Sequence, residues 1–437
     1  MDQLTPSLTV LLDLYRPCFR AEVFSTFCSM TAAWIVCLGR RSVSRVWETT
    51  GRSKTEDHSK AFRLFSEAAW NWDELGRILL FRLLFVFIPG SRVWLVIDDT
   101  LCHKRGANVA FGGIFRDAVL STKKCKILRF GVNWVTLGLV VQLPFRGDRF
   151  FCCNILWRVY VKKNPKKPKE HKVKPQLALE MVQQVASWLP GRRLIVSADS
   201  AYVSKHLLKG LPTNISVIGP IHKKAKLTKP LPADCKDKRR KVGEDWTTPS
   251  QAFDDASLAW QEMVLRHPKG EKKLKVKVIG PCCWYASAGG MLLQVVLVRD
   301  PHGQWRDEAL LCGDLELSAE EVILGYCRRW SVEVAYCESK QLLGFHDPMV
   351  FSEASVKRAH PLAWFVGSLV VLWYATYGHQ EDKPQRHRPW YKNKVEPTMA
   401  DMLACCRLHL WSHWLEAEPE KRDERLKWLL EYAATAA

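Results

Sequence analysis

Apolar residues recur every three or four positions through most of the first 88 residues. The segments VFSTFCSMTAAWIVCL and AFRLFSEAAWNWDELGRILLFRLLFVF both show this period. Residues three and four apart share one face of an α-helix, so the pattern predicts amphipathic helices. Several basic residues crowd the segment between them, namely Arg40, Arg41, Arg45, Arg52 and Lys54. Residues 1–88 therefore form a predicted helical region, which either contacts an anionic partner or packs as a cap on the rest of the chain.

The pattern changes to that of β-strands at Val93. The run VWLVID is continuously apolar over the length of one strand, as expected for a strand buried on both faces. The segment ILRFGVNWVTLGLVVQLPF is rich in β-branched and aromatic residues, and it predicts two strands that break at Gly131. A helix in LALEMVQQVASWL, a strand in RLIVSAD, a short helix in AYVSKHLLKGL and a strand in SVIGPI follow. Strands that alternate with helices indicate an α/β fold over residues 89–222.

Residues 223–315 return to a pattern dominated by strands. The segment KLKVKVIGPCCWYASAGGMLLQVVLVRD predicts antiparallel strands that are joined near Gly289 and Gly290. A helical segment then begins in LSAEEVILGYCRRW, where Ser318 and Glu321 match the S-x-x-E capping box. After residue 380 a polar stretch leads to a predicted C-terminal helix in MADMLACCRLHLWSHWLEAE.

The charge balance favours an anionic partner. The chain has 65 Lys and Arg residues against 45 Asp and Glu residues, a formal net charge of +20. Nucleic acid is the first candidate for such a partner, and an anionic membrane surface is the second. The basic residues cluster in two runs, at residues 161–174 and 236–241, between predicted strands. We interpret these runs as DNA contacts, with solvated loops as the alternative.

Cysteine spacing argues against a zinc site and against a disulfide scaffold. The fifteen cysteines include three adjacent pairs, and no C-x2-C pair has a distant partner pair. We expect small buried side chains in a reducing cytosol, and the first twenty residues do not fit a signal peptide. The apolar stretch from Pro361 to Gly378 has about the minimum length of a membrane span. We expect it to be a buried core helix in a cytoplasmic protein without a membrane partner.

Four polar residues share one face of a predicted helix in YCRRWSVEVAYCESK. Tyr326, Arg329, Glu333 and Lys340 are spaced by three, four and seven residues, which places them on one stripe. An ordinary helix fills its buried stripe with Leu or Ile. A stripe with two cations and one carboxylate must instead face something polar, and a phosphate backbone beside a metal ion fits that requirement.

This spacing, Y-x2-R-x3-E-x6-K, resembles the signature helix of IS4-type transposases, a branch of the DDE (RNase H-like) superfamily. The family has two further aspartates at strand ends, in the order Asp, Asp, Glu. The matching positions here are Asp98 or Asp99 after VWLVI and Asp199 after RLIVSA. The layout is most similar to the IS701-type group, including D-D-T at the first acid and K-P-x-L-A-L-E beginning at Lys174. The resemblance covers roughly residues 60–415.

The resemblance implies a particular division of the chain. Residues 89–222 and 316–380 would form an RNase H-like catalytic core, which residues 223–315 would interrupt as a β-rich insertion. The family also has a helical DNA-binding region at its N-terminus, which residues 1–88 match. Residues 381–437 would add a basic linker and a C-terminal helix.

The implied chemistry is phosphoryl transfer assisted by two divalent ions. Asp98, Asp199 and Glu333 would be the catalytic residues and metal ligands, because hard carboxylate oxygens select Mg²⁺ or Mn²⁺. Neighbouring strand residues point to opposite faces, so we expect only one ligand from Asp98 and Asp99; Asp98 fits the family's D-x-T form. Simpler roles stay open for the other two acids. Asp199 could cap the helix that follows it, and Glu333 could pair with Arg329 on the helix surface.

Further side chains are candidates for contact with DNA. Arg329 and Lys340 would bind phosphates, and the Tyr326 hydroxyl would hydrogen-bond to one. Trp330 would either stack on an unpaired base or pack in the core. The DNA-binding candidates are Tyr326, Arg329, Trp330, Lys340 and Lys104, with His103 beside Lys104 as a further one.

The implied function is that of a DNA transposase from an insertion sequence. Such an enzyme recognises terminal inverted repeats in double-stranded DNA, cleaves at the transposon ends and joins them to a target. Joining two ends implies a homodimer on DNA, at the nucleoid of a bacterial cytoplasm. The alternatives are an RNase H-like nuclease that cuts without integration and a domesticated DNA-binding protein with a dead site. The cations of the stripe favour the transposase, and the complete set of acids argues against a dead site.

Overall fold

The N-terminal region is helical, as the apolar period predicts. The computed structural model of the chain describes residues 4–88, 90, 92–106, 108–145, 149–163, 171–235, 237, 239–267, 270–380 and 396–435. The first helices are α1 (Pro6–Asp13), α2 (Ala21–Val36), α3 (Val43–Thr49), α4 (Ser59–Ser66) and α5 (Trp72–Phe87). Helix α5 follows Asn71, whose side chain accepts a hydrogen bond from the backbone N–H of Glu74. This cap satisfies one of the free donors at the start of the helix.

A mixed β-sheet follows these helices. Its first strands are β1 (Arg92–His103), β2 (Gly113–Arg116), β3 (Leu128–Gln142), β4 (Phe150–Tyr160), β5 (Arg193–Ala198) and β6 (Ile215–Pro220), and the helices between them are α6 (Lys174–Trp188) and α7 (Lys205–Leu208). Strand β1 pairs antiparallel with β3 and parallel with β5, and β5 pairs parallel with β6. Strand β3 pairs with both β2 and β4 along its other edge. The predicted α/β character is confirmed, and β1 lies between two partners.

The predicted break at Gly131 is wrong. Strand β3 continues through this position, where Gly131 pairs with Gly113 of β2 and with His103 of β1. A Cβ atom at Gly131 would lie 2.2 Å from the carbonyl oxygen of Cys102. The glycine therefore permits the close approach of two strands rather than ending one of them. Strand β4 covers the segment FFCCNILWRVY, to which the hydrophobic pattern assigned no element.

Six further strands and two short helices lie between β6 and the signature segment in the part of the chain that the structure describes. They are β7 (Leu227–Thr228), β8 (Asp245–Thr247), α8 (Pro249–Asp254), β9 (Gln261–His267), β10 (Gly270–Cys283), α9 (Tyr285–Ala288), β11 (Leu292–Arg299) and β12 (Glu308–Cys312). The predicted antiparallel pair is present as β10 and β11, and Gly289 lies in their connection with a φ of 64°. Strand β12 pairs antiparallel with β6. The described strands therefore form one sheet, in the order β2-β3-β1-β5-β6-β12-β11-β10-β7-β8, with β4 beside β3 and β9 beside β10.

The C-terminal part of the chain is again helical. Its helices are α10 (Ala319–Cys327), α11 (Trp330–Leu342), α12 (Glu353–Ala359), α13 (Leu362–Thr376), α14 (Met399–Glu416) and α15 (Arg422–Thr435). The predicted capping box is confirmed at the start of α10, where Ser318 and Glu321 exchange hydrogen bonds of 2.9 and 3.2 Å. The helix predicted in MADMLACCRLHLWSHWLEAE is α14, and α15 is a further helix to which the sequence pattern assigned no element. Helix α15 contacts the N-terminal region, because the Tyr432 hydroxyl accepts the backbone N–H of Leu38 at 2.9 Å.

Helix α13 belongs to the core. By length and composition alone, Glu353–Thr376 could cross a membrane, but 83% of its apolar window is buried inside the protein. Helix α13 packs against β4, α2, α5 and α14, as expected for the buried helix predicted at this position. Parts of three predicted basic segments lie outside the described residues: 164–170 and 381–395, together with Lys236 and Lys238.

The signature segment is two helices rather than one. Between α10 and α11, the N–H of Arg329 donates to the Tyr326 carbonyl and the N–H of Ser331 to the Arg328 carbonyl, each at 3.0 Å. Hydrogen bonds between residues three apart belong to a tighter 3₁₀ turn. Arg328 also extends over the Trp94 ring, with its guanidinium carbon 4.6 Å from the ring centroid. The tight turn breaks the straight stripe that the spacing predicts, so Tyr326 and Lys340 lie on different helices.

The close approach at Gly131 leads to a stability prediction. Gly131→Ala should lower the free energy of unfolding by about 1–3 kcal/mol, because the new methyl group meets strand backbone that cannot move aside cheaply. The measurement is denaturant unfolding followed by circular dichroism. Gly191→Ala is the matched control, since a Cβ there meets nothing within 4 Å, and we expect a change within about 0.5 kcal/mol. Equal stability of the two variants would contradict the proposed role of Gly131.

Candidate active site

The register between β1 and β5 places two of the predicted acids side by side. Ile97 pairs with Ala198 at the end of the parallel ladder. Asp98 and Asp199 are the next residues on the two strands. Strand β5 ends at this point, while β1 continues along β3. The two carboxylates therefore lie at one edge of the parallel part of the sheet, as expected for residues that follow adjacent parallel strands.

Helix α11 carries Glu333 to the same place. The Tyr336 hydroxyl lies 2.6 Å from the Thr136 hydroxyl, and both side chains are buried. Thr136 of β3 is the partner of Asp98 in the antiparallel ladder. Glu333 precedes Tyr336 by three residues and therefore shares its face of the helix. The Tyr336 contact sets the rotation of α11 so that Glu333 faces Asp98.

Arg329 joins the two carboxylates that come from the strand and the helix. Its Nη1 atom lies 3.0 Å from Oδ2 of Asp98, and its Nη2 atom lies 2.8 Å from Oε1 of Glu333. The side chains of Asp98 and Arg329 are 16% and 15% exposed, so this is a largely desolvated ion pair. Burial raises the pKa of Asp98 to about 7; Arg329 acts against this increase, while Asp99 and Asp199 add to it. The second oxygen of Asp98 accepts the backbone N–H of Asp99 at 2.8 Å.

Asp99 belongs to a different network. Its Oδ1 atom accepts a hydrogen bond from the Tyr202 hydroxyl at 3.1 Å, and its Oδ2 atom accepts one from the Asn133 amide at 3.3 Å. The ammonium of Lys174, the first residue of α6, forms an ion pair with the same Oδ2 atom. Alternation along β1 places neighbouring side chains on opposite faces. The structure therefore brings Asp98 to Glu333, while Asp99 is held by α6 and the turn after β5.

Asp199 also caps a turn. Its Oδ1 atom accepts the backbone N–H groups of Ala201 and Tyr202, at 2.9 and 3.3 Å. This resembles the simpler role expected of Asp199, although the capped turn precedes α7 rather than starting it. Within the described part of the chain, no donor reaches the second carboxylate oxygen. That oxygen is available to a ligand beside Asp98.

The predicted DNA-binding side chains surround this site in different ways. Trp330 is 62% exposed, so the alternative that it packs in the core is wrong. Tyr326 lies half-buried beneath the Arg329 guanidinium, whose carbon is 5.7 Å from the ring centroid. Lys104 donates hydrogen bonds to the carbonyl oxygens of His346 and Pro348, at 2.7 and 2.9 Å. Lys104 therefore stabilises the loop after α11, and this role is additional to any contact with DNA.

Lys340 is two turns beyond Glu333 on α11 and is half-buried. Burial lowers the pKa of its ammonium group. No hydrogen bond or ion pair to this ammonium comes from another described residue. A cation in such a position is suited to an anionic ligand, because pairing recovers part of the cost of desolvation.

The carboxylates do not form a complete metal site in this arrangement. Among the described residues, no three His, Cys, Asp or Glu side chains come close enough together to hold a metal ion. Asp98 and Glu333 nevertheless converge on one cation, the guanidinium of Arg329. Their hard oxygen donors are those that Mg²⁺ and Mn²⁺ prefer. The residues fit a divalent cation once Arg329 leaves the carboxylates.

Sequence reasoning missed the residues that position the acids. Tyr336 fills the gap of seven between Glu333 and Lys340, at a step of three and then four, so the stripe itself contained the signal. Lys174 stood out only as part of a sequence resemblance. Its contact with Asp99 joins elements 75 residues apart, and local spacing carries no information about such a contact.

The Asp99 network leads to a second stability prediction. Lys174→Met should lower the free energy of unfolding by about 1–3 kcal/mol, because it leaves a partly buried carboxylate without its cation. The double variant Lys174→Met/Asp99→Asn should lose less than the sum of the single changes, with a coupling of about 0.5–3 kcal/mol. Lys172→Met is the control, since Lys172 pairs with Glu180 on the exposed surface and should change stability by less than about 1 kcal/mol. Additive losses would show that Lys174 and Asp99 do not stabilise each other.

Comparison with known proteins identifies the family of this chain. The sequence profile of a family described as DDE superfamily endonuclease matches residues 15–273, which is more than half of the 437 residues. The match includes Asp98 and Asp199 and ends before Glu333. No curated protein matches the chain. With the two aspartates inside the matched region and at adjacent strand ends, the chain belongs to the DDE superfamily endonucleases.

Proposed function

We propose that this protein is the DNA transposase of an insertion sequence, which cleaves at transposon ends and transfers the strands into target DNA. The observation that carries the proposal is the convergence of Asp98 and Glu333 on one buried cation. Asp199 lies beside Asp98 at the end of the neighbouring parallel strand. Three acids in the order Asp, Asp, Glu, in a chain of the DDE superfamily, support catalysis of phosphoryl transfer on DNA.

Asp98, Asp199 and Glu333 would hold two Mg²⁺ or Mn²⁺ ions. When bound, such ions stabilise the attacking and leaving oxygens of an in-line phosphoryl displacement. The protein supplies oxygen ligands from two strand ends and one helix. It also holds Asp98 in a desolvated position, where the electrostatic attraction for a cation is stronger than in water.

Arg329 would change partners when DNA and metal bind. In the structure its guanidinium pairs with both Asp98 and Glu333. When these carboxylates hold a divalent cation, Arg329 would be free to bind a phosphate with two parallel hydrogen bonds. The tight turn between α10 and α11 places Arg329 at a point where the helix hydrogen bonding already changes. Arg329 would thus hold the acids together before DNA binds and position the DNA afterwards.

The surroundings of the acids suit a DNA strand. The exposed ring of Trp330 could stack on an unpaired base near the cut, a contact worth about 1–3 kcal/mol per base. The Tyr326 hydroxyl would contact a phosphate, and Lys340 would pair with another. Lys104 remains a weaker candidate, because two carbonyl groups already accept its protons. The net charge of +20 would attract double-stranded DNA from a distance.

The fold of the proposed enzyme would be RNase H-like. Strands β1 to β6 with α6, α10 and α11 would form the catalytic core, and the strands from β7 to β12 would be a β-rich insertion. The pairing of β12 with β6 makes this insertion an extension of the core sheet. Because two transposon ends are joined to one target, the active species would be a homodimer on DNA.

The choice between the two neighbouring aspartates can be tested directly. Asp98→Asn should reduce cleavage of a duplex carrying the gene's flanking inverted repeat by more than about a thousandfold, since several kcal/mol of transition-state stabilisation are lost. Asp99→Asn should stay within about tenfold of the wild type, because its partners are structural. Cleavage in Mg²⁺ is measured on denaturing gels, and thermal unfolding shows that both variants are folded. If Asp99→Asn is inactive and Asp98→Asn cuts normally, the proposed first ligand is wrong. Cleavage without joining to a target would instead favour a nuclease.

The roles of Glu333 and Arg329 can be separated by comparing binding with cleavage. Glu333→Gln should lose cleavage but bind the same duplex at least as well as the wild type, because it removes a negative charge near phosphate. Arg329→Ala should weaken binding by about tenfold through the loss of a charge-assisted contact, with cleavage falling as a consequence.

Binding is measured by gel shift in Ca²⁺ and cleavage in Mg²⁺ or Mn²⁺. Arg77→Ala is the matched control, since Arg77 pairs with Glu74 on an exposed face of α5, and this variant should behave as the wild type. The assignment fails if Glu333→Gln cannot bind DNA while Arg329→Ala binds and cuts normally.

A further inference from the structure

A second group of basic side chains lies at the far end of β1. His103 is the last residue of β1 and Lys104 follows it, while Lys340 and His346 come from α11 and the loop after it. The rings of His103 and His346 are stacked, with centroids 5.0 Å apart and planes 3° from parallel. Lys340 and Lys104 both act electrostatically on His346. The cluster joins the end of β1 to the end of α11.

A buried carboxylate orients His103. The Nε2 atom of His103 lies 2.6 Å from Oδ2 of Asp117, and Asp117 is 3% exposed. The other oxygen of Asp117 accepts the backbone N–H groups of Val119 and Leu120, each at 3.0 Å. Burial acts to raise the pKa of Asp117, but the Leu120 N–H and His103 together hold it below its ordinary value. Asp117 is therefore a fixed anion that orients the His103 ring through Nε2.

His346 supports this arrangement as a neutral ring. Its Nδ1 atom accepts the backbone N–H of His103 at 3.2 Å, so that nitrogen carries no proton. Burial, together with Lys340, His103 and Lys104, lowers the pKa of His346 to about 3. The His103 side chain is 42% exposed, and with Nε2 turned to Asp117 its Nδ1 edge can meet a ligand.

The cluster contains cations for which no free carboxylate is available among the described residues. Lys340 is half-buried without a hydrogen bond or ion pair from any other described residue, and Lys104 donates only to carbonyl groups. The two carboxylates nearby are engaged, Asp117 by His103 and Asp347 by the backbone N–H of Arg41 at 2.8 Å. A partly buried cation without a counter-ion is costly. An anion bound between Lys340 and His103 would remove that cost.

We propose that His103, oriented by Asp117 and stacked on His346, forms with Lys340 a binding site for a backbone phosphate of the DNA strand. The inference rests on the proposed function, because it extends the path of DNA from the three acids. Lys340 lies about 10 Å beyond Glu333 along the helix axis. The site therefore takes a backbone phosphate other than the one at the acids, and His103 is a positioning residue.

The test uses the full-length protein and a short mixed-sequence DNA duplex in Ca²⁺, so that it requires no cleavage. At pH 6, His103→Gln should weaken binding by about tenfold, because it removes a charge-assisted contact. The slope of the logarithm of its affinity against the logarithm of salt concentration should decrease by the amount expected for one phosphate contact. Asp117→Asn should weaken binding in the same direction, because His103 loses its fixed anion. His302→Gln, in the exposed turn between β11 and β12, is the control and should bind as the wild type.

The salt dependence separates this role from a purely structural one. A lost phosphate contact reduces the slope of affinity against salt concentration, whereas a folding defect lowers the amount of active protein without changing that slope. Thermal unfolding of His103→Gln shows whether the variant is folded. An unchanged slope, or no loss of affinity at all, overturns the proposal.

Neutral phosphate analogues locate the contact. A methylphosphonate is placed at one backbone position after another on a duplex end processed by the enzyme. At one position the affinity loss should not add to that of His103→Gln, as expected for two changes to one contact. Losses that are additive at every position overturn the proposal. Inactivity of Asp98→Asn together with normal binding by His103→Gln would reject only this inference. Normal cleavage by Asp98→Asn with the expected His103 results would reject only the proposed catalytic residues.

Discussion

The parallel pairing of β1 with β5 is the constraint on which the candidate active site depends. Both strands are apolar runs buried between helices, so their register cannot slip without moving buried side chains out of place. With Ile97 opposite Ala198, the first acidic residue after each apolar run comes at the same level. Burial of the strands thus determines where Asp98 and Asp199 meet. The apolar residues that precede the carboxylates therefore set their positions.

The third acid depends on a contact of a different kind. Helix α11 is joined to β3 through the hydroxyl groups of Tyr336 and Thr136, whose side chains are both buried. A buried hydroxyl that loses its partner costs about 1–3 kcal/mol, so this bond resists rotation of the helix. Glu333 lies one turn before Tyr336 on the same face of the helix. The tight turn before α11 then turns Arg329 inward, where its charge offsets the two carboxylates.

Opposite faces of one strand separate the proposed catalytic aspartate from its neighbour. Asp98 faces Glu333 and Arg329, whereas Asp99 is bound by Lys174, Tyr202 and the Asn133 amide on the other face. In the proposed mechanism the first group exchanges partners, and its cation is a side chain at the junction of two helices. The second group links β1 to α6 and to the turn after β5. Two adjacent acids of identical chemistry therefore have unlike roles, and alternation along the strand is the cause.

Much of the fold and part of the site followed from the sequence alone. Buried strands, amphipathic helices and the capping box at Ser318 are local features, and the periods of two and 3.6 residues report them directly. The two aspartates that the resemblance implies, Asp98 and Asp199, directly follow the buried apolar runs of β1 and β5. The local pattern failed at Gly131, because a glycine that ends a strand and one that lets two backbones approach look the same in sequence.

The tertiary structure decided which side chains meet. Spacing placed Tyr326, Arg329, Glu333 and Lys340 on one stripe, but it could not show the tight turn that sets Tyr326 apart. It also could not show that Arg329 would bind the acids themselves. Nothing in the local pattern connects His103 with an aspartate after another strand or with a histidine more than two hundred residues later. The sequence by itself determined most of the helices and strands, because these depend largely on neighbours along the chain. The pairing of charges depends on neighbours in space, and only the packed sheet and helices decide those.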